Sequence, residues 1–285
     1  MKSLATFLSL AMLGASLHAA EPIPDSYKSG GFAIGAQAYS FNRFSLFEAI
    51  EKNAEAGGKT IELYPGQKLS KEQGDVKFDH NSPADVRDKV KAKLKEHNTL
   101  AVAFGVVGIP KEEDRARKIF EFAKDMGIRV LNTESTDAID TIEKLVKEFD
   151  IEVGYHNHPV RKNDPNYKVW DPNYIAELVK GRDERIGACA DTGHWVRSGL
   201  KPVECLAILK GRVVSSHLKD LHEFSANGHD VPYGKGVSDI KGVLDALKAM
   251  NFDGPISVEY EYNWDNSVPE IKECISFVRA YGEKK

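Results

Sequence analysis

Ile186-Gly187-Ala188-Cys189-Ala190-Asp191-Thr192-Gly193-His194-Trp195 is the stretch that decides the fold. Five small or apolar residues run without alternation, as in a strand covered on both faces. The run then ends in an acid, a hydroxyl and an imidazole. A strand covered on both faces implies a parallel sheet with crossover helices, and in barrels of that kind the carboxyl ends of the strands carry the chemistry. The same pattern recurs along the chain. Residues 32–39, 60–64, 100–107, 128–132, 151–156, 186–190, 213–218 and 255–260 have strand character. Between them, residues 46–56, 83–97, 112–126, 138–149, 172–179, 202–209, 240–250 and 269–281 place apolar side chains at helical spacing. Pro83, Pro172, Pro202 and Pro269 fall where a first helical turn tolerates proline. The alternation predicts an α/β fold, a single (β/α)8 barrel. An open doubly wound sheet is the rival, but no GxGxxG opens the first helix.

Residues 1–20 read as an export signal. Lys2 is the basic start, residues 4–17 are an apolar run too short to span a bilayer, and Ala19 and Ala20 supply small residues for cleavage. The expectation is a mature domain over 21–285, periplasmic or secreted, with no membrane span. Formal net charge is -4 and there is no basic run, which argues against a nucleic-acid partner. Cys189, Cys205 and Cys274 form no CxxC pair and read as small buried hydrophobes.

Following each strand to its end gathers the polar residues. The ends read Glu62-Leu63-Tyr64, Asn132-Thr133-Glu134, Tyr155-His156-Asn157-His158, Asp191-Thr192-Gly193-His194-Trp195, His217-Leu218-Lys219-Asp220 and Glu259-Tyr260-Glu261. Six of the nine histidines lie between 156 and 229, far more than even scatter would place there. Carboxylates and imidazoles converging on one barrel mouth suit one divalent metal ion. Mixed N and O donors favour Mn, Co or Zn over Mg. No HExxH motif is present, so the ligands come from separate strands.

Gly154-Tyr155-His156-Asn157-His158, Ala190-Asp191-Thr192-Gly193-His194, Ser216-His217-Leu218-Lys219-Asp220, Val258-Glu259-Tyr260 and the Gly234-Lys235-Gly236 turn together resemble the sugar phosphate isomerase/epimerase group of the xylose-isomerase-like TIM barrel superfamily. The resemblance covers most of the mature chain. It implies a metal held at the ends of strands five to eight, in a Glu, Asp, His, Glu pattern. Asp191, His217 and Glu259 match the last three. Strand five departs: His156 stands where many members carry Glu. Either His156 binds the metal or Glu134 reaches over from strand four, with Glu134 preferred because a second anion helps neutralise the ion.

The resemblance also implies a small carbohydrate substrate and proton abstraction beside a sugar carbonyl. His156 and His158 are the candidate bases, pointing the same way by strand alternation. Lys219 is a candidate oxyanion partner, or else a salt-bridge partner of Asp220 or Glu261. Glu62, His194, Trp195, Tyr260 and Glu261 are candidate substrate contacts, with Trp264 a further stacking ring; each aromatic has a plain packing reading as well. The chemistry expected is isomerase or epimerase, with a lyase acting on 3-keto-glycosides or a non-catalytic sugar-binding barrel as alternatives. Oligomeric state is left open.

Overall fold

The unalternating runs become strands with nearly every residue buried, because helices cover one side and the barrel interior the other. The computed structural model describes residues 22–283, so the export segment read at 1–20 lies outside the described residues. Eight parallel strands form a closed barrel in chain order: β1 (Ala33–Gln37), β2 (Thr60–Leu63), β3 (Leu100–Phe104), β4 (Val130–Thr133), β5 (Glu152–His156), β6 (Ile186–Asp191), β7 (Val213–Leu218) and β8 (Pro255–Val258), with β8 pairing to β1. The outer layer is α1 (Leu46–Glu55), α2 (Ala84–Glu96), α3 (Glu113–Met126), α4 (Ile139–Phe149), α5 (Pro172–Leu178), α6 (Thr192–Arg197), α7 (Pro202–Leu209), α8 (Ile240–Ala249) and α9 (Val268–Glu283). One continuous apolar core joins the inner faces of these helices to the strands.

Local chemistry sets several boundaries. Ser45 and Glu48 close a capping box on α1. The first strand stops at Gln37, two residues short of the expected end. The Gln37 side chain accepts from Tyr39 N at 2.7 Å and turns the chain into a 3-10 helix over Ala38–Phe41. α6 was not anticipated. It begins directly after β6 because Asp191 Oδ1 accepts from His194 N at 2.7 Å, an N-cap on the last residue of the strand. Two short hairpins also go beyond the sequence reading, Gln67–Lys68 with Lys77–Phe78 and Asp220–Leu221 with Asp230–Val231. The three cysteines are free and buried, as expected. No helix among the described residues is long and apolar enough to cross a membrane.

One glycine is dictated by the closed barrel. Gly35 of β1 pairs with Thr60 of β2, and a Cβ there would lie 1.6 Å from the Thr60 carbonyl oxygen. Gly35→Ala is expected to force the two strands apart and cost about 1–3 kcal/mol or more. A drop in urea midpoint without a change in slope would register it, and an unchanged midpoint would contradict this packing.

Candidate active site

His156 and Asp191 are the last residues of β5 and β6. Lys219 and Glu259 each follow directly on β7 and β8, and His194 lies in the first turn of α6. Adjacent strands therefore deliver these side chains to one mouth. Asn157 fixes the strand carrying the acid: its Nδ2 donates to the Asp191 carbonyl and its Oδ1 accepts from Asp191 N, both at 2.9 Å.

His156, Asp191, His194 and Glu259 are buried, and one ligand atom from each falls within 4.8 Å of all the others. His156 Nε2 is 3.5 Å from Asp191 Oδ2, and His194 Nε2 is 3.7 Å from it. Neither His156 nitrogen has a hydrogen-bond partner, and Asp191 Oδ2 has no aligned donor although the Lys219 ammonium is 3.0 Å away. Leaving such atoms unsatisfied in a protein interior is costly. Ligand atoms that each stand about 2.0–2.2 Å from a common divalent ion are separated by about 3–3.5 Å. The spacing here is close to that. Burial drives the His156 and His194 pKa values down, so both rings are neutral with lone pairs available, the form a metal requires. The donor set fits a borderline transition-metal ion.

Of the two candidates for the strand-five position, the structure brings His156, not Glu134, to Asp191 and Glu259. Glu134 stands with His156 and His158 in a second group. It hydrogen-bonds His158 Nδ1, and its Oε1 also accepts from the Tyr167 hydroxyl at 2.7 Å. Burial raises the Glu134 pKa, but His158 and Tyr167 more than reverse this and hold it below the usual value, so the carboxylate is ionised. The expectation of Glu134 as fourth ligand thus gives way to a carboxylate–imidazole pair. The loop that follows β5 delivers Tyr167, whose hydroxyl also accepts from His158 N at 3.0 Å.

His217 borders the metal-capable group. Its Nδ1 is 3.1 Å from Glu259 Oε2 and 3.9 Å from Asp191 Oδ2, and its Nε2 is 2.8 Å from Glu62 Oε2. Burial opposes a charge on the ring, but the acids around it, Glu62 and Glu259 among them, lift its pKa well above the ordinary value. Glu62, expected to contact sugar hydroxyls, does not reach the mouth. It is fully buried inside the barrel, where Oε2 also accepts from Ser257 Oγ at 2.7 Å and Oε1 from Asn132 Nδ2 at 2.8 Å. Asn132 Oδ1 in turn accepts from Ser215 Oγ at 2.7 Å. Glu62 orients His217. Glu62→Gln is expected to destabilise the fold by about 1–3 kcal/mol, the cost of a buried group losing its partner. Chemical denaturation measures this, and an unchanged midpoint would mean that His217 is held otherwise.

Trp195, also expected at the substrate, belongs to the hydrophobic core at 2 % exposure, and Tyr260 is likewise a core residue at 4 %. Glu261 is half-buried beside the cluster, where its Oε2 accepts from Lys219 Nζ at 2.8 Å and from Arg197 Nη1 at 2.9 Å. Arg197, Asp230 and Tyr167 were not singled out in the sequence. Arg197 lies within α6, and its Nη2 meets Asp230 Oδ2 at 3.1 Å. Burial pushes the Asp230 carboxyl up to about 7, against the pull of Lys219 and Arg197. The Gly234-Lys235-Gly236 turn is fastened by Asp220, whose carboxylate accepts from Gly234 N, Gly236 N and Ser238 N at 2.8–3.0 Å. Tyr39, Tyr64 and Trp264 meet edge to face on the β8–β1–β2 side of the mouth. A cavity of about 630 Å³ opens at the other end of the barrel, but its arginines are engaged, Arg185 with Asp183 and Asp150 of the same lining and Arg182 with Glu143 outside it.

A closed (β/α)8 barrel with a buried His/Asp/Glu cluster at the carboxyl ends of its strands defines a class of catalytic scaffold. Within that class, the chain belongs to the xylose isomerase-like TIM barrel family, whose model matches residues 50–281. An inosose dehydratase of Clostridium tetani is 28% identical over 145 residues, which is 43% of this chain and 45% of that protein. Among solved structures, an uncharacterised protein of Parabacteroides distasonis superposes with a TM-score of 0.70 at 28% identity, covering 88% of this chain and 99% of the other. A D-tagatose 3-epimerase-like protein superposes with a TM-score of 0.66 at 17% identity, covering 88% and 98%.

Proposed function

We propose that this protein is a divalent-metal-dependent sugar-converting enzyme that removes a proton from the carbon next to a sugar carbonyl. The observation that carries the reading is the His158–Glu134 pair, placed against a buried group of His156, Asp191, His194 and Glu259 that includes unpartnered ligand atoms. His156, Asp191, His194 and Glu259 would hold the ion, with His217 at its edge. Such an ion supplies Lewis-acid polarisation of a carbonyl oxygen. The chain supplies the rest. His158 donates Nδ1–H to ionised Glu134, which leaves the Nε2 lone pair free to take a proton. The His158 side chain is 41% exposed, so a ligand at the mouth can reach it. Its ring stacks on His194 at 5.1 Å between centroids, which keeps the base beside the group of ligands.

The substrate class follows from charge and setting. Arg197 is already engaged by Glu261 and Asp230, so its guanidinium is not offered to a phosphate. Cleavage of an export segment at residues 1–20 would set the enzyme outside the cytoplasm, where neutral sugars are met. N-terminal sequencing from the native host should begin near Ala20 or Glu21, and an intact Met1 would remove that part of the reading.

Elimination is the second reading, favoured by the asymmetry of the site. One flank carries an imidazole–carboxylate base, the other a lysine and an arginine on Glu261, whereas reversible transfer between two faces calls for a base on each. The names of the relatives span both outcomes, dehydratase and epimerase-like. Turnover of candidate neutral sugars and 3-keto-glycosides in D2O, followed by NMR, tests both. Isomerisation or epimerisation is expected to introduce deuterium at carbon, and elimination an unsaturated product. A substrate converted with its α-hydrogen retained and no unsaturated product would defeat the mechanism.

A further inference from the structure

Lys219 is fully buried, yet its ammonium lies among the acids of the site. Nζ is 2.7 Å from Glu259 Oε2, 3.0 Å from Asp191 Oδ2, 2.8 Å from Glu261 Oε2 and 3.3 Å from His194 Nε2. Three of those four partners belong to the group able to hold a metal; Glu261 does not. The arrangement is built in. Thr192 Oγ1 clamps the lysine backbone, accepting from Lys219 N at 2.8 Å and donating to its carbonyl at 2.9 Å. The side chain then runs over Gly193, where a Cβ would come within 2.7 Å of the lysine Cβ and 2.8 Å of its Cδ. The stem is anchored while the ammonium spans two sets of acids. Glu261 is shared with Arg197, at the half-buried edge of the site.

We propose that Lys219 is the site's own counter-cation, which a divalent ion displaces from Asp191 and Glu259 so that the ammonium rests on Glu261. Buried carboxylates need a neutralising partner. Without metal the lysine provides it. A dication drawing on the same two oxygens would meet a monocation within about 3 Å of them, and like charges at that range repel strongly in a site screened from water. Lys219 keeps one of its three ion pairs as it yields the other two. The lysine thereby sets the threshold for metal loading, and Glu261 is the receiving group. This inference rests on the metal reading above.

The test is Co2+ binding to purified metal-free protein, read from the visible absorption of the ion and by calorimetry. Wild type, Lys219→Met, Glu261→Gln and the double variant are compared. Lys219→Met is expected to bind at least tenfold more tightly, since the competing cation is gone. Glu261→Gln is expected to bind about tenfold more weakly, because the displaced ammonium loses its receiving carboxylate. In the Lys219→Met background the Glu261 change should have a much smaller effect, the non-additivity that marks two residues acting together. Equal or weaker binding by folded Lys219→Met, or the same Glu261 effect in both backgrounds, would overturn the proposal and leave the metal reading standing. If Lys219→Met does not fold without metal, Glu261→Gln decides: binding as tight as wild type overturns the proposal. Absence of Co2+ binding in all four proteins would overturn both readings.

Discussion

His158→Gln should lower turnover by about 10²–10⁴-fold, the usual contribution of a positioned general base, with KM nearly unchanged. The physical case begins with Glu134, which is held ionised by His158 and the Tyr167 hydroxyl. A carboxylate on Nδ1 fixes the tautomer and aims Nε2 toward the mouth. Glutamine keeps a polar side chain at a position that is 41% exposed, so little core packing is lost and the variant should fold. Glu134→Gln acts one step back, as a change to a positioning residue: kcat should fall by a smaller factor while KM stays. Tyr167→Phe, which removes one of the donors to Glu134, should be milder still. Added imidazole should restore part of the activity of His158→Gly, because that position is open to the mouth. Wild-type turnover in His158→Gln, on a substrate that wild type converts, would transfer the role of base to another residue.

The barrel was legible because its signals are local. Each strand is a short apolar run with a turn or polar break at its end, and each helix has its own amphipathic period, so boundaries fall within a few residues of those expected. α6 was missed because Asp191 has two duties that sequence cannot separate, ending a strand and capping a helix. The site was legible in outline for the same topological reason: parallel strands send their last residues to one end. What the sequence does not carry is the angle at which each side chain leaves its strand. Glu62 and Glu259 look alike as carboxylates near strand ends, yet Glu62 lies inside strand β2 and points into the barrel, where three donors from β4, β7 and β8 consume it. Glu134 is one residue past β4 and finds a tyrosine 33 positions away, a contact set by the fold of a long loop. Trp195 follows a histidine at the site, but on a helix the next residue turns by about 100°, which takes it into the core. Arg197 escaped notice because a lone arginine in a helix has no pattern; its meaning comes from Asp230 and Glu261, which are far away in the chain.

Asp191→Asn should abolish most metal binding while leaving the metal-free fold nearly intact. Asparagine is as good an N-cap as aspartate, so the bond from His194 N that starts α6 survives. Lys219 keeps Glu259 and Glu261 as partners. What is lost is the one anionic oxygen that lies 3.5 Å from His156 Nε2 and 3.7 Å from His194 Nε2, and so links both neutral imidazoles to the group. Changes even to residues behind metal ligands typically cost 10–100-fold in affinity, so losing a charged ligand should cost about 100-fold or more. That difference is visible without any substrate. Metal at one hundred times the wild-type Kd stabilises the native state by about 2.7 kcal/mol; at the same concentration a variant binding a hundredfold more weakly gains only about 0.4 kcal/mol. In a chain of this length the wild-type gain corresponds to a rise in Tm of roughly 5 °C, and the variant's to less than about 1 °C. Thermal unfolding with and without Mn2+ or Co2+ therefore separates a ligand from a bystander. Should Asp191→Asn gain as much in Tm as wild type, the ion is held elsewhere, and the group of Glu134, His156 and His158 becomes the site to examine.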